Sequence, residues 1–123
     1  SMHPTLKNGE RLLILKWHAR LSPIAVGDIV TIRGKSENVA GDEVIKRVVF
    51  VQNARGNRPW PERIVTEVGE YRRTDLFPDD NPKCPTNVPD GIYLLGDNIT
   101  GSEDSRDFGP VLARDVFGKV LRL

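Results

Sequence analysis

Few residues in this chain could do covalent chemistry. Its 123 residues include one cysteine, Cys84, and two histidines, His3 and His18. Cys84 sits in Asn81-Pro82-Lys83-Cys84-Pro85, without a second cysteine or a histidine at ligand spacing. Neither an internal disulfide nor a zinc site is expected from that pattern. No glycine-rich phosphate loop is present, and no metal or cofactor is called for. His18 follows an apolar run and His3 lies near the start, with no carboxylate spaced to orient either ring, which disfavours a Ser-His-Asp set.

Serine paired with lysine remains. A lysine can act as general base only as the neutral amine, against a reference pKa of ~10.4. Apolar burial lowers that value because desolvation penalises the charged form. Lys46 fits this requirement. On an extended strand Val44, Lys46 and Val48 share one face, so the amine emerges between two branched apolar neighbours, while Arg47 points to the opposite face. Lys16 is the weaker candidate, since it ends its run one residue before Trp17-His18, where its tip can reach water.

The elements that must position these residues read as strands. Residues 11–17 form a buried-type strand, 29–33 alternate after a Gly27-Asp28 turn, and 43–51 are the strongest β-former in the chain. A polar connection covers 34–41. Weaker strand signals cover 63–68 and 71–74, and Pro78, Pro82 and Pro85 mark a loop that cannot lie inside a sheet. Pro89-Asp90-Gly91 and Gly96-Asp97-Asn98 read as turns around a short strand at 92–95. A helical turn at 112–115 precedes a last strand at 116–123. The expected fold is mainly β, a compact barrel-like domain of short, mostly antiparallel strands, with 1–123 as a single domain.

Composition narrows the function classes. The net charge is +1, so the chain as a whole has no strong field to attract nucleic acid. The charges are uneven: seven basic against three acidic residues over 46–73, then eight acidic against two basic over 75–107. The plain reading is two solvated regions of opposite sign. The other is a basic patch for lipid headgroups or RNA, and no aromatic interleaving supports RNA. No apolar run approaches the ~18–20 residues of a membrane span, and the opening residues lack a secretory leader's pattern.

Four blocks in order then carry a resemblance. They are Ser1-Met2-His3-Pro4-Thr5-Leu6, Gly27-Asp28-Ile29-Val30, Ile45-Lys46-Arg47-Val48-Val49, and Gly96-Asp97-Asn98 through Ser102-Glu103-Asp104-Ser105-Arg106-Asp107-Phe108-Gly109. Together they resemble the boxes of the type I signal peptidases. The resemblance implies a membrane-associated serine endopeptidase that removes signal peptides from exported precursors, without a cofactor, on the extracytoplasmic side. It implies Ser1 as nucleophile and Lys46 as general base. Ser102 would orient the base, and Asp104 and Arg106 would form a supporting ion pair. Met2 would wall the site, and Ile45 would line the pockets for substrate.

The resemblance also implies a membrane anchor before the nucleophile, so a chain opening on Ser1 is expected to be a piece cut from something longer. After Val49 the family usually continues into a Gly-x-Pro-Gly-Asp turn, whereas Phe50-Val51-Gln52-Asn53 follows here, implying a different strand exit. Two rivals share the fold or the dyad. A self-cleaving repressor domain should carry its cleavage dipeptide upstream of the serine, but Ala40-Gly41 lies downstream. A non-catalytic domain that only binds extended peptides has no use for both Ser1 and Lys46.

Overall fold

The computed structural model describes Met2 and residues 12–16, 23–33 and 43–122. Ser1, His3, His18, Arg11, Trp17, Leu123 and the connection expected at 34–41 lie outside the described residues. Seven strands follow in chain order: β1 (Leu12–Lys16), β2 (Ile29–Arg33), β3 (Glu43–Val51), β4 (Arg63–Thr66), β5 (Gly69–Arg72), β6 (Ile92–Leu95) and β7 (Val116–Arg122). Two single helical turns, α1 (Arg73–Leu76) and α2 (Ser105–Phe108), and a 3-10 turn at Ala113–Asp115 complete the set.

The fold is mainly β and antiparallel, as its branched and aromatic runs require. The sheet does not close. Five strands lie in the order β1-β7-β2-β3-β6, while β4 and β5 form a separate hairpin. Among the described residues β1 and β6 are therefore edges, and barrel-like describes the shape only loosely. The first and last strands pair with each other, Leu12 opposite Arg122, which ties the two ends of the chain into one sheet.

Strand alternation builds a core on each face of this sheet. Val30, Ile32, Val48, Ile92, Leu94, Val111 and Val116 pack on one side. On the other lie Val49, Phe50, Ile64, Leu76, Phe77, Cys84, Tyr93 and Leu95, with Trp60 against them. A bulge in β3 makes this second core possible. The β3–β6 register passes from Val48↔Leu94 to Phe50↔Tyr93, so Val49 is the extra residue and two consecutive side chains turn to the same side. Phe50 then stacks on Trp60 at 4.3 Å, and Trp60 meets the edge of Tyr93 at 4.6 Å. Such contacts add about 0.5–1.5 kcal/mol each beyond the area buried.

β3 runs on to Val51 and ends at Gln52, which is buried yet fully bonded. Its Nε2 donates to the carbonyls of Arg58 and Thr86, and its Oε1 accepts from the backbone N–H groups of Asn53 and Arg58. Trp60 Nε1 donates to the same Thr86 carbonyl at 3.1 Å. One amide thus holds the loop that delivers Trp60 to the core.

One local expectation is corrected. Of residues 71–74 only Tyr71 and Arg72 are strand, as the end of β5, and Arg73 and Thr74 are helical. The hairpin starts earlier, at Gly69, because Thr66 pairs with Gly69 around a two-residue Glu67-Val68 turn. The Thr66 hydroxyl closes that turn, donating to the Gly69 carbonyl and accepting from Val68 N–H. The chain turns helical at Arg73, whose N–H donates to the Glu62 carbonyl. α2 is a helical turn that strand and turn signals alone did not indicate. Its signature is local: Asp104 and Asp107 form a capping box, and Gly109 ends the turn at φ +81°. A Cβ at Gly109 would stand 2.2 Å from the Lys83 carbonyl oxygen, so only glycine fits.

Gln52→Leu keeps the side-chain volume but leaves two N–H groups and a carbonyl short of partners. It is expected to cost about 2–4 kcal/mol, read as a lower urea midpoint with an unchanged slope.

Candidate active site

β3 carries two cationic residues in succession, and both are buried: Lys46 and Arg47 are each 3% exposed. They leave the strand on opposite faces, and each face treats its charge differently. Arg47 meets Asp97, at the turn after β6, with Nε to Oδ1 and Nη2 to Oδ2 both at 2.8 Å. This bidentate contact holds the guanidinium above its ordinary pKa. Glu67, at the hairpin turn, is a further 3.8 Å contact but is largely exposed, so it adds little.

Lys46 has no such carboxylate contact at hydrogen-bond distance among the described residues. Its Nζ donates to Ser102 Oγ at 3.0 Å. Burial lowers its pKa from the ordinary 10.5, and the Arg106 charge pushes the same way. Asp104, Glu103 and Asp107 act at longer range in the opposite direction without cancelling the effect. The result is an amine that loses its proton more readily than a surface lysine and has a hydroxyl to fix its direction.

Ser102 lies in the loop from Gly96 to α2, which is organised by one carboxylate. Asp104 is 0% exposed and accepts from Gly96 N–H at 3.0 Å and from Arg106 N–H at 3.1 Å. The Arg106 guanidinium donates to both Asp104 oxygens at 2.8 Å and, from Nη2, to the Ile99 carbonyl at 2.8 Å. It therefore clamps both ends of the segment that carries Ser102. Asp104 and Arg106 form an ion pair whose acid is wholly enclosed, unlike an ordinary surface pair.

The neighbouring serine has another task. Ser105 is 0% exposed, and its Oγ accepts from Leu94 N–H at 2.7 Å, docking α2 on β6. Its carbonyl accepts from Cys84 Sγ at 3.3 Å. Burial, with the Asp104 charge, pushes the Cys84 thiol up to about 12, so it serves packing rather than nucleophilic chemistry.

Of the other residues expected at the site, Met2 is 3% exposed and Ile45 is half-buried beside Lys46. Lys16 lies in β1, on the far edge of the sheet from β6. Ser1, the expected nucleophile, lies outside the described residues and is not placed against Lys46. Backbone groups add one more element. β3 pairs with β2 from Glu43 onward, but with β6 only from Arg47 onward. Val48 directs both its N–H and its carbonyl to the β2 side, so by alternation Ile45 directs its own to the other side. No described strand pairs with β3 there, and this leaves an edge one residue from the base.

Arg47 and Asp97 were legible only in part. The alternation sent Arg47 away from Lys46, but Asp97 read as a turn residue. The available signal was the arginine itself, in the middle of an apolar nine-residue strand where a buried cation demands an anion.

Two stability experiments test these environments. Asp97→Ala leaves a buried guanidinium without its partner and is expected to cost about 3–5 kcal/mol, while Arg47→Met/Asp97→Leu recovers most of that loss. Lys46 behaves the other way. Its folded pKa lies below its unfolded one, so between the two the unfolded chain binds more protons and stability rises with pH. Lys46→Met is therefore expected to raise the urea midpoint at pH 7. The gain should narrow as pH approaches 10.5 and the wild-type amine becomes neutral in both states.

The family described as signal peptidase, peptidase S26, matches residues 1–52 and 53–123. The chain is 29% identical over 131 residues to Signal peptidase I of Bacillus caldolyticus, covering 98% of the chain and 72% of that protein. It is 28% identical over 135 residues to Signal peptidase I V of Bacillus subtilis (strain 168), covering 98% and 78%. With Signal peptidase IB of Staphylococcus aureus (strain Mu50 / ATCC 700699) the identity is 29% over 141 residues, covering 98% and 71%. The blocks around Lys46 and Ser102 thus stand within a likeness that runs along nearly all of the chain, and the chain belongs to the signal peptidase family, peptidase S26.

Proposed function

We propose that this chain is a serine endopeptidase that removes N-terminal signal peptides from exported precursor proteins, with Ser1 as nucleophile and Lys46 as general base. The observation that carries the reading is Lys46 itself: a lysine buried in a strand, with a lowered pKa, hydrogen-bonded to Ser102. Ser102 is the positioning residue for the base. Asp104 and Arg106 hold the loop that presents it.

In the proposed reaction the precursor lies extended against the unpaired edge of β3, exchanging backbone hydrogen bonds with Ile45. Side chains of Ile45 and Met2 help shape shallow pockets that admit small residues. Neutral Lys46 takes the proton from Ser1 Oγ as that oxygen bonds to the scissile carbonyl carbon. The resulting oxyanion is held by the Ser1 N–H and a second donor, an arrangement in which one donor is worth about 3–4 kcal/mol. The ammonium of Lys46 then gives its proton to the departing amine, leaving an acyl-enzyme. A water molecule, deprotonated by the same lysine, releases the cleaved signal peptide and restores Ser1.

Residues 1–123 act as one catalytic domain in this proposal, and the pairing of β1 with β7 supports that. The partners are signal-peptide-bearing precursors, and no nucleic acid is involved. The domain works on the extracytoplasmic side of a membrane, held there by an anchor on the N-terminal side of Ser1. No helix among the described residues is long and apolar enough to cross a membrane.

The decisive assay uses the chain with its native upstream residues and a precursor bearing an Ala-x-Ala site. Cleavage after the second Ala is expected, with Ser1→Ala and Lys46→Met each losing about 10³-fold or more. The rate should rise with pH along a limb whose midpoint lies below 10.5, reporting the neutral amine. Precursor bound but left intact by wild type and variants alike would defeat the proposal in favour of a peptide-binding domain. Ser102→Ala is expected to lower kcat by about 10–100-fold with little change in KM, and Ser102→Thr, which restores a hydroxyl, should recover most of it. Equal loss in both would show that Ser102 does not act through its hydroxyl.

A further inference from the structure

The β4–β5 hairpin presents a charge arrangement that the peptidase reading leaves unused. Its register sets Arg63 directly opposite Arg72 at the open end, away from the Glu67-Val68 turn. Both residues are exposed and share the outer face of the hairpin, since Ile64 between them in the alternation is buried. Directly opposed residues stand about 5 Å apart at Cβ, where like charges repel. Arg63 is partly answered by Glu70, with Nε 3.6 Å from its carboxylate. Arg72 has no carboxylate at ion-pair distance among the described residues.

The chain folds back at this end to make a cleft. Arg73 N–H bonds to the Glu62 carbonyl and brings the start of α1 against the start of β4. The Arg73 guanidinium is fixed by the Phe77 carbonyl at 2.9 Å and by Asp79 at 2.6 Å, which makes it a rigid wall. A cleft of about 380 Å³ opens between Glu62, Arg63, Arg72, Arg73 and Thr74. Three arginines, a threonine and one glutamate line it; Glu70 answers Arg63 and Asp79 answers Arg73, so Arg72 is the arginine with no carboxylate at ion-pair distance among the described residues.

We propose that this cleft binds a phosphate group. Arg63 and Arg72 stand opposite each other on neighbouring strands with Thr74 beside them, and guanidinium and hydroxyl groups are the donors that a phosphate takes. An anion there also relieves the opposition of Arg63 and Arg72. The phosphate is a monoester or diester, borne by a lipid headgroup or by a soluble compound. The site is separate from Lys46 and Ser102, and the proposal stands or falls without the Ser-Lys mechanism.

The test is a titration with inorganic phosphate, followed by amide chemical shifts, against chloride at matched ionic strength. Saturable shifts confined to Arg63 and residues 72–74 are expected, at millimolar affinity. Arg63→Gln/Arg72→Gln should weaken binding about tenfold or more, and Arg55→Gln, an exposed arginine elsewhere, should leave it unchanged. The same spectra report whether each variant is folded, and Arg72→Gln alone serves if the double variant is not. A second arm measures flotation with phosphatidylcholine vesicles with and without phosphatidylglycerol. Flotation that needs phosphatidylglycerol and both arginines supports a lipid-borne phosphate. Absent or arginine-independent flotation, with phosphate binding intact, supports a soluble phosphate compound. Shifts that do not saturate, or that persist equally in the arginine variants, overturn the proposal.

Discussion

The structure depends on the burial of two adjacent cations in β3. A strand sends Lys46 and Arg47 to opposite faces, and both are withdrawn from bulk solvent. A guanidinium cannot shed its charge, so the Arg47 face must supply an anion, and Asp97 is held there by two 2.8 Å contacts. An amine can shed its charge, so the Lys46 face needs only a hydroxyl. The same desolvation yields a fixed charge on one side of the sheet and a titratable base on the other.

Both solutions come from one stretch of chain. Asp97 stands two positions after the end of β6, and Ser102 lies five residues further on, before α2. Asp104 fixes both ends of the intervening loop by accepting from Gly96 N–H and pairing with Arg106, which in turn reaches the Ile99 carbonyl. Ser105 and Cys84 pin the start of α2 to β6 and to the proline-rich loop. Gly109 lets the chain pass close to Lys83 and leave toward Val111, which bridges back to Ile92. The loop needs no larger domain to rigidify it because nearly every turn of it ends on a buried polar contact.

Strand-forming runs were legible in the sequence because alternation and branched residues report local geometry. The five strands of the larger sheet fall where those signals lie, and so does the separation of Lys46 from Arg47. What alternation could not give was any pairing between distant segments. Asp97 looked like a turn residue because its partner is fifty positions away, and Gln52 looked like a loop residue because its bonds reach Arg58 and Thr86. The bulge at Val49 has the same origin: it exists to seat Phe50 on Trp60 and Tyr93, a tertiary demand. α2 was hidden because one helical turn leaves almost no periodicity, and only the Asp104–Asp107 spacing announces it.

The position of that bulge also sets the limits of change in β3. Which face each residue meets depends on parity, counted from the bulge. Lys46 lies three positions before Val49, and the count is upheld by β2 on one side and β6 on the other. A residue gained between Arg47 and Val49 would put a guanidinium that cannot deprotonate at the place beside Ser102, and a residue lost there would put the amine at the place beside Asp97. The pair would survive as composition and vanish as chemistry. The segment from Lys46 to Val49 is thus held to its length, while the loop after Gln52 has no parity to keep.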